Sequence, residues 1–430
     1  MAKKEDRLVI YKDRSVLEKA AQTQTFFEGK PSPDAQARTD LIRKSLEDGF
    51  LQKLIDEERK GIPPNEGLLG KQQKVIKKLV DSVTSEVGRA LVGLTVLQLA
   101  IKAICPTQNI RLHKGGRGNF SWAEGISMRT LDKNYITPAL REHGLVSLNA
   151  DGFMMTRSLA ENYPYGSLYK AAVRGAKDAW ITIVEWLEDE DLQPLPALRY
   201  LISLLINRSN RFYALAERCL EQVDIFLGKS ANFTRIFTLL RNFVEHSDYS
   251  ARAFEVVIHA AYQALDEMGQ VEPLHLKPLS QMRSANKKHG NIGDIELLEP
   301  GKGVAIAESW DTKYGKENLR EELEELFEKL SFHPECKTAG FITNKKSSQK
   351  PEIATRTSEI EEFYDCKIVI LSFEEWYKTI TKSFSNTQRH VFLEKWLRAV
   401  AESFCQKRRD IAPIDEPCEY WIQSLFALLE

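Results

Sequence analysis

Gly293-Asp294-Ile295-Glu296-Leu297 leads through the turn Glu299-Pro300-Gly301-Lys302-Gly303 into Val304-Ala305-Ile306-Ala307-Glu308-Ser309-Trp310-Asp311-Thr312-Lys313, and this stretch decides how the chain is read. Two apolar, β-prone runs flank a Pro-Gly turn, which predicts a β-hairpin that brings Asp294 close to the second strand. Strand side chains alternate with period two, so Asp311 and Lys313 share one face and Glu308 belongs to the other unless a bulge or twist intervenes. Two carboxylates suit a hard divalent cation such as Mg²⁺, which prefers oxygen ligands and keeps several waters. A lysine beside them is placed to orient, or help deprotonate, one of those waters.

An acid-x-base triplet carries little by itself, because 61 acids and 60 bases in 430 residues give about eight by chance. In isolation such a triplet is a solvated strand end with a weak ion pair. Here it ends an apolar strand, follows a second acid across a hairpin, and leads into a one-sided helix. That helix, Glu317 to Leu330, spaces Leu319, Leu323, Leu326, Phe327 and Leu330 helically among charged residues. Ala339-Gly340-Phe341-Ile342-Thr343 then reads as a buried strand, Glu352 to Tyr364 as a helix, and Cys366 to Leu371 as another strand.

With this order of hairpin, helix, strand, helix and strand, residues of about 284 to 375 resemble the core of the PD-(D/E)XK nucleases, the superfamily containing most type II restriction endonucleases. The resemblance implies a C-terminal α/β core with a mixed sheet. Asp294 matches the first acid of the motif, Asp311 the second and Lys313 the lysine, and the Thr312 carbonyl is implied as a further metal ligand. Gly293 stands where the motif has proline. A register with Glu308 as second acid would put Trp310 at the lysine position, where it supplies no charge, so Asp311 and Lys313 are preferred. Glu308 is expected as an additional ligand or assisting acid, and Glu296, on the strand face of Asp294, has a weaker claim. The activity implied is Mg²⁺-dependent hydrolysis of phosphodiester bonds in double-stranded DNA by a type II restriction endonuclease or close relative. A homodimer follows from the need to cut two antiparallel strands with two-fold-related sites.

Residues that would touch DNA are sought among basic clusters. Arg283 to Asn291 lies immediately before Asp294, and Lys287, Lys288, His289 and Asn291 are placed there to meet phosphates. Arg111-Leu112-His113-Lys114-Gly115-Gly116-Arg117-Gly118-Asn119 is a glycine-rich basic loop, read either as a DNA-contacting loop through Arg117 or as plain surface; it matches no nucleotide-binding fingerprint. From Met128 to His143 a helix is expected, with Pro138 kinking or restarting it and Thr137 as the cap. Gly144-Leu145-Val146 reads as a short strand, and Ser147 to Thr156 as two strands around Asn149-Ala150-Asp151-Gly152. That combination resembles a winged-helix module, which implies that Arg129, Lys133 and Asn134 face DNA.

The remaining chain bounds the class. Ala90 to Ile104 spaces Leu91, Leu94, Leu97 and Ile101 to face a core, and Ser167 to about Met268 reads as several helices. Prolines 273 and 278 make Glu272 to Pro278 the expected linker. Six scattered cysteines suggest neither a disulfide framework nor a zinc site. No apolar signal core and no run of about eighteen apolar residues is found, which leads to the expectation of a cytoplasmic protein with no membrane partner. A net charge of −1 argues against bulk electrostatic attraction to nucleic acid, although a nuclease needs only a local positive cleft. Neither a G-x-S-x-G elbow nor H-E-x-x-H occurs. The fold expected is α+β overall: a mostly helical region 1–165 with a possible winged helix at about 88–158, a helical domain 166–271, and an α/β nuclease domain 272–430 with C-terminal helices. A repair or structure-specific nuclease, or a non-catalytic winged-helix DNA-binding protein, is the alternative.

Overall fold

The computed structural model describes residues 6–19, 23–61, 67–83, 88–114, 120–146, 152–155, 157–278, 290–301, 305–316, 318–345, 351–407 and 418–430. The fold is α+β. Among the described residues, those up to Phe212 form one compact unit and those from Tyr213 onward another.

The first unit opens with an antiparallel three-stranded meander of β1 (Arg7–Ile10), β2 (Arg14–Glu18) and β3 (Thr23–Phe27), in a region whose sequence predicts mostly helix. These strands are short and mix charge with apolar residues, so no run stands out in the sequence. Leu17 and Phe26 are buried against Leu112 and Trp122. Helices α1 (Pro33–Glu47), α2 (Phe50–Arg59), α3 (Gly70–Asp81) and α4 (Arg89–Ile104) follow. α1 starts where Ser32 accepts the Ala35 N–H and Pro33 occupies the first turn, where its missing donor costs nothing. The spacing in α4 predicts one buried stripe, yet every residue from Leu91 to Lys102 is buried, because other helices pack around it. Lys102 is accommodated by the Pro106 carbonyl and by Glu188, each at 3.0 Å.

The expected helix Met128–His143 is one continuous rod with a wide turn at its centre: α5 (Met128–Leu131), a π turn Asp132–Ile136, and α6 (Thr137–Glu142). Pro138 has no N–H to give to the preceding turn, and the widened turn absorbs that loss. Thr137 is not a cap; it is buried, and its hydroxyl donates to Asp132 Oδ1 at 2.5 Å. The expected wing is corrected in its described part. Gly144 to Val146 is not a strand, and Phe153–Met155 is a 3-10 turn; residues 147–151 and 156 lie outside the described residues. The buried apolar pair Phe153 and Met154 serves the core, and Asp132 accepts the Met154 N–H at 2.9 Å. Gly152, at φ +93°, lies so close to that carboxylate that a side chain would collide with it. Helices α7 (Lys177–Glu188) and α8 (Pro194–Leu227) follow, and the division between units falls within α8.

In the second unit, α9 (Ile236–His246) and α10 (Ser250–Glu267) precede a five-stranded sheet of order β4 (His275–Leu276), β5 (Ile295–Leu298), β6 (Ile306–Lys313), β7 (Thr338–Thr343) and β8 (Lys367–Ser372). The segment read as a linker thus contains an edge strand, a place that tolerates flanking prolines. β4, β5 and β6 are antiparallel neighbours, whereas β6, β7 and β8 run parallel. Parallel neighbours require crossovers, and α11 (Arg320–Leu330) and α12 (Pro351–Tyr364) supply them. Leu323, Leu326, Leu330, Ile353 and Ile360 of these helices are buried with Ile306, Phe341 and Ile368 of the sheet. α10 packs against β4, β5 and β6. Helices α13 (Phe373–Ile380), α14 (Asn386–Glu402) and Cys418–Leu429 close the chain. Among the described residues no helix is long and apolar enough to cross a membrane.

Candidate active site

The hairpin predicted from sequence forms with Ile295 opposite Trp310, Glu296 opposite Ser309 and Leu297 opposite Glu308. Leu298 pairs with Ile306, so the bulge lies at Ala307. It precedes Glu308 and leaves the alternation from Glu308 to Lys313 intact. Asp294, one residue before β5, donates its N–H to the Trp310 carbonyl at 2.9 Å, and extending the register sets it beside Asp311. Gly293 is required here by close approach: a Cβ would lie 2.6 Å from the Trp310 carbonyl oxygen. Glycine is therefore the residue this geometry demands at position 293.

Asp294 Oδ2 accepts both the N–H and the hydroxyl of Thr312, at 2.9 and 2.7 Å, which fixes the carboxylate. Asp311 Oδ2 is 3.0 Å from Lys313 Nζ, with both side chains largely buried. Burial and the neighbouring Asp294 push the Asp311 carboxyl up to about 7, against the pull of Lys313 and Lys329. Burial opposes charge on Lys313, but Asp311, Asp294 and Glu322 outweigh it and hold the ammonium above the ordinary lysine range. Lys313 is a proton donor at neutral pH, so of the two roles open to it in the sequence, orienting a water fits and abstracting a proton does not.

Glu308 is not brought to this pair. It accepts the Trp310 indole N–H at 2.6 Å and faces Tyr262 of α10, whose phenol burial and Glu308 together hold well above its ordinary range. Strand alternation is the reason, and the expectation of Glu308 as an assisting ligand is corrected. Glu296 is a structural clamp. Only 2% exposed, it binds Lys277 Nζ at 2.5 Å and accepts the Ile292 N–H at 2.6 Å, holding the loop that presents Asp294. Asn291, expected to touch DNA, accepts from the same Lys277 at 2.9 Å. Lys287, Lys288 and His289 lie outside the described residues, as does Arg117.

The start of the glycine-rich loop is not surface: Arg111 and His113 are buried, and Glu185 accepts from the two terminal guanidinium nitrogens of Arg111 at 2.7 and 3.0 Å. Arg129, Lys133 and Asn134 are all exposed on the outer side of the rod from Met128 to Glu142.

Two residues at the site were missed in the sequence, both on α11. Lys329 donates to the Ile292 carbonyl at 3.1 Å and lies close enough to favour the charged form of Asp311. Glu322 is buried, pairs with Lys316 at 2.9 Å and acts on Lys313, while its Oε2 has no partner among the described residues. They stand two turns apart beside the stripe Leu319, Leu323, Leu326 and Leu330, and flanking such a stripe is the only signal the sequence carries.

The donor set fits a cation that is content with few protein ligands. Asp294 and Asp311 stand together, and Asp311 is raised first by burial and then by repulsion from Asp294, the part that a divalent cation would relieve. Among the described residues no group of three or more acidic, histidine or cysteine side chains is arranged to hold a metal. Two carboxylates with several waters suit Mg²⁺ rather than a metal that demands a full protein cage. No protein-family model matches this chain, and no curated protein matches it either.

Proposed function

We propose that the chain is a Mg²⁺-dependent endodeoxyribonuclease of the PD-(D/E)XK kind, most closely a type II restriction endonuclease. The observation that carries this reading is the juxtaposition of Asp294 and Asp311 at one end of the β5–β6 pair with Lys313 bonded to Asp311. The antiparallel β4-β5-β6 meander followed by parallel β7 and β8 supports it, since the resemblance implied a mixed sheet.

In this reading Asp294 and Asp311 hold the cation. When bound there, Mg²⁺ would supply Lewis-acid polarisation of the scissile phosphate and of the attacking water. Thr312 keeps Asp294 aimed through two hydrogen bonds. Lys313, as an ammonium, donates to the attacking water or to a non-bridging phosphate oxygen and stabilises the charge that develops there. Lys329 and Glu296 hold the Ile292–Asp294 loop against α11 and β5. Arg129, Lys133 and Asn134 are side chains suited to base edges and phosphates, and a homodimer would give each DNA strand one site.

Incubating the purified protein with an unmethylated plasmid in Mg²⁺, and separately in excess chelator, tests the proposal. Discrete fragments that disappear in chelator are expected. A smear would make it a nuclease without sequence specificity, and intact plasmid in Mg²⁺ would overturn the reading.

A further inference from the structure

Away from the acid pair, three helices of the second unit surround a solvent-open concavity. α13 begins with a capping box between Ser372 and Glu375 and buries Phe373 and Trp376. That rotation leaves Tyr377 half-buried, stacked on Phe237 of α9 with ring centroids 4.3 Å apart and 20° between planes. Trp396 of α14 backs Tyr377 at 6.0 Å. Phe237 and Tyr377 form one wall of a cavity of about 490 Å³, within the range of small-molecule sites.

The charges on its rim are unbalanced. Arg241 lies one helical turn beyond Phe237, Lys378 follows Tyr377, and Arg389 comes from α14; against these three cations stands Glu374 as the single lining carboxylate among the described residues. Glu374 takes one guanidinium nitrogen of Arg241 at 2.7 Å, and Arg241 Nε has no partner among the described residues. Lys378 is exposed and has no ion-pair partner among the described residues. Arg389 is exposed and donates to the Thr381 carbonyl at 3.3 Å.

We propose that this cavity binds a nucleoside phosphate, with the phosphate held by Arg389, Lys378 and Arg241 and the base laid against the Phe237 wall. Guanidinium forks match phosphate oxygens in pairs, and a base has a flat face for an aromatic wall. An inorganic anion would leave the aromatic wall unused, and an uncharged aromatic would leave Lys378 and Arg389 without a counter-charge. The site is independent of the acid pair and of the nuclease reading.

The test is isothermal titration of the full chain carrying Asp311→Asn, in chelator, so that the acid pair takes no metal-bound nucleotide. Adenosine monophosphate is expected to bind saturably, with adenosine and inorganic phosphate each at least tenfold weaker. The double variant Lys378→Ala/Arg389→Ala, which alters only exposed side chains, should weaken adenosine monophosphate at least tenfold. Phe237→Leu should reduce it to the level of inorganic phosphate. A free nucleotide and a strand end share this chemistry: a 5′-phosphorylated tetranucleotide binding tighter than the monophosphate supports a strand end, and one binding more weakly supports a free nucleotide. Absence of saturable monophosphate binding, or binding unchanged in the double variant, overturns the proposal.

Discussion

Asp311→Asn should stabilise the metal-free protein at neutral pH while removing its activity. The Asp311 carboxyl is pushed up to about 7 from its ordinary 3.8 by burial and by Asp294. Between those two values the native state binds more protons than the unfolded state, so stability falls as pH rises from about 4 to 7, and the whole cost is present above 7. A difference of about three units corresponds to about 4 kcal/mol at pH 8 and under about 2 kcal/mol at pH 5. Asparagine keeps the shape and removes the charge. For a unit of about 200 residues a gain of about 2–4 kcal/mol raises the melting temperature by roughly 4–16 °C. Calorimetry of wild type and variant in chelator at both pH values is the assay, with the gap wide at pH 8 and narrow at pH 5. Adding Mg²⁺ should then raise the melting temperature of the wild type and leave the variant unmoved. A variant no more stable than wild type at pH 8 would refute the claim that burial and Asp294 together disfavour the charged form of Asp311.

Other changes probe the scaffold. Glu296→Ala should cost about 3–5 kcal/mol in denaturant titration, since it leaves Lys277 and the Ile292 N–H without their buried partner; a loss under about 1 kcal/mol would make Glu296 a surface acid in effect. Gly293→Ala should lower cleavage at least tenfold, because the new Cβ must displace the Trp310 carbonyl and with it Asp294; cleavage at the wild-type rate would show the approach to be looser. Arg129→Ala or Asn134→Ala should weaken binding to a cognate duplex in Ca²⁺ by about 1–3 kcal/mol for each base edge no longer read, with little change on scrambled DNA. Unchanged binding to both would remove the rod from Met128 to Glu142 from recognition.

The second unit is the more legible part. Alternation from Glu308 to Lys313, apolar runs at β7 and β8, and the leucine stripe of α11 are local signals, and each marks the right element within a few residues. The placement of Asp294 beside Asp311 follows from one turn and period two. What the sequence could not show is long-range. β4 is two residues long and is a strand only because β5 lies beside it. The wing fails at Phe153 because alternation and turn chemistry read as a hairpin, whereas the fold uses those side chains to cover α4. Arg111 and His113 look like surface because their neighbours are glycine and lysine; Glu185, which pairs with Arg111, is 74 residues away. Lys329 and Glu322 acquire their meaning from the packing of α11 on the hairpin, which periodicity does not encode.

The central claim is that Asp311 and Lys313, and not Glu308, form the working face of β6. Initial rates of plasmid cleavage in Mg²⁺ for Lys313→Ala and Glu308→Gln beside wild type test it most directly. Loss of charge stabilisation at the reacting phosphate predicts a fall of about a hundredfold or more for Lys313→Ala, with Glu308→Gln remaining close to wild type because its carboxylate faces Trp310 and Tyr262. Full activity in Lys313→Ala together with a large loss in Glu308→Gln would contradict the account.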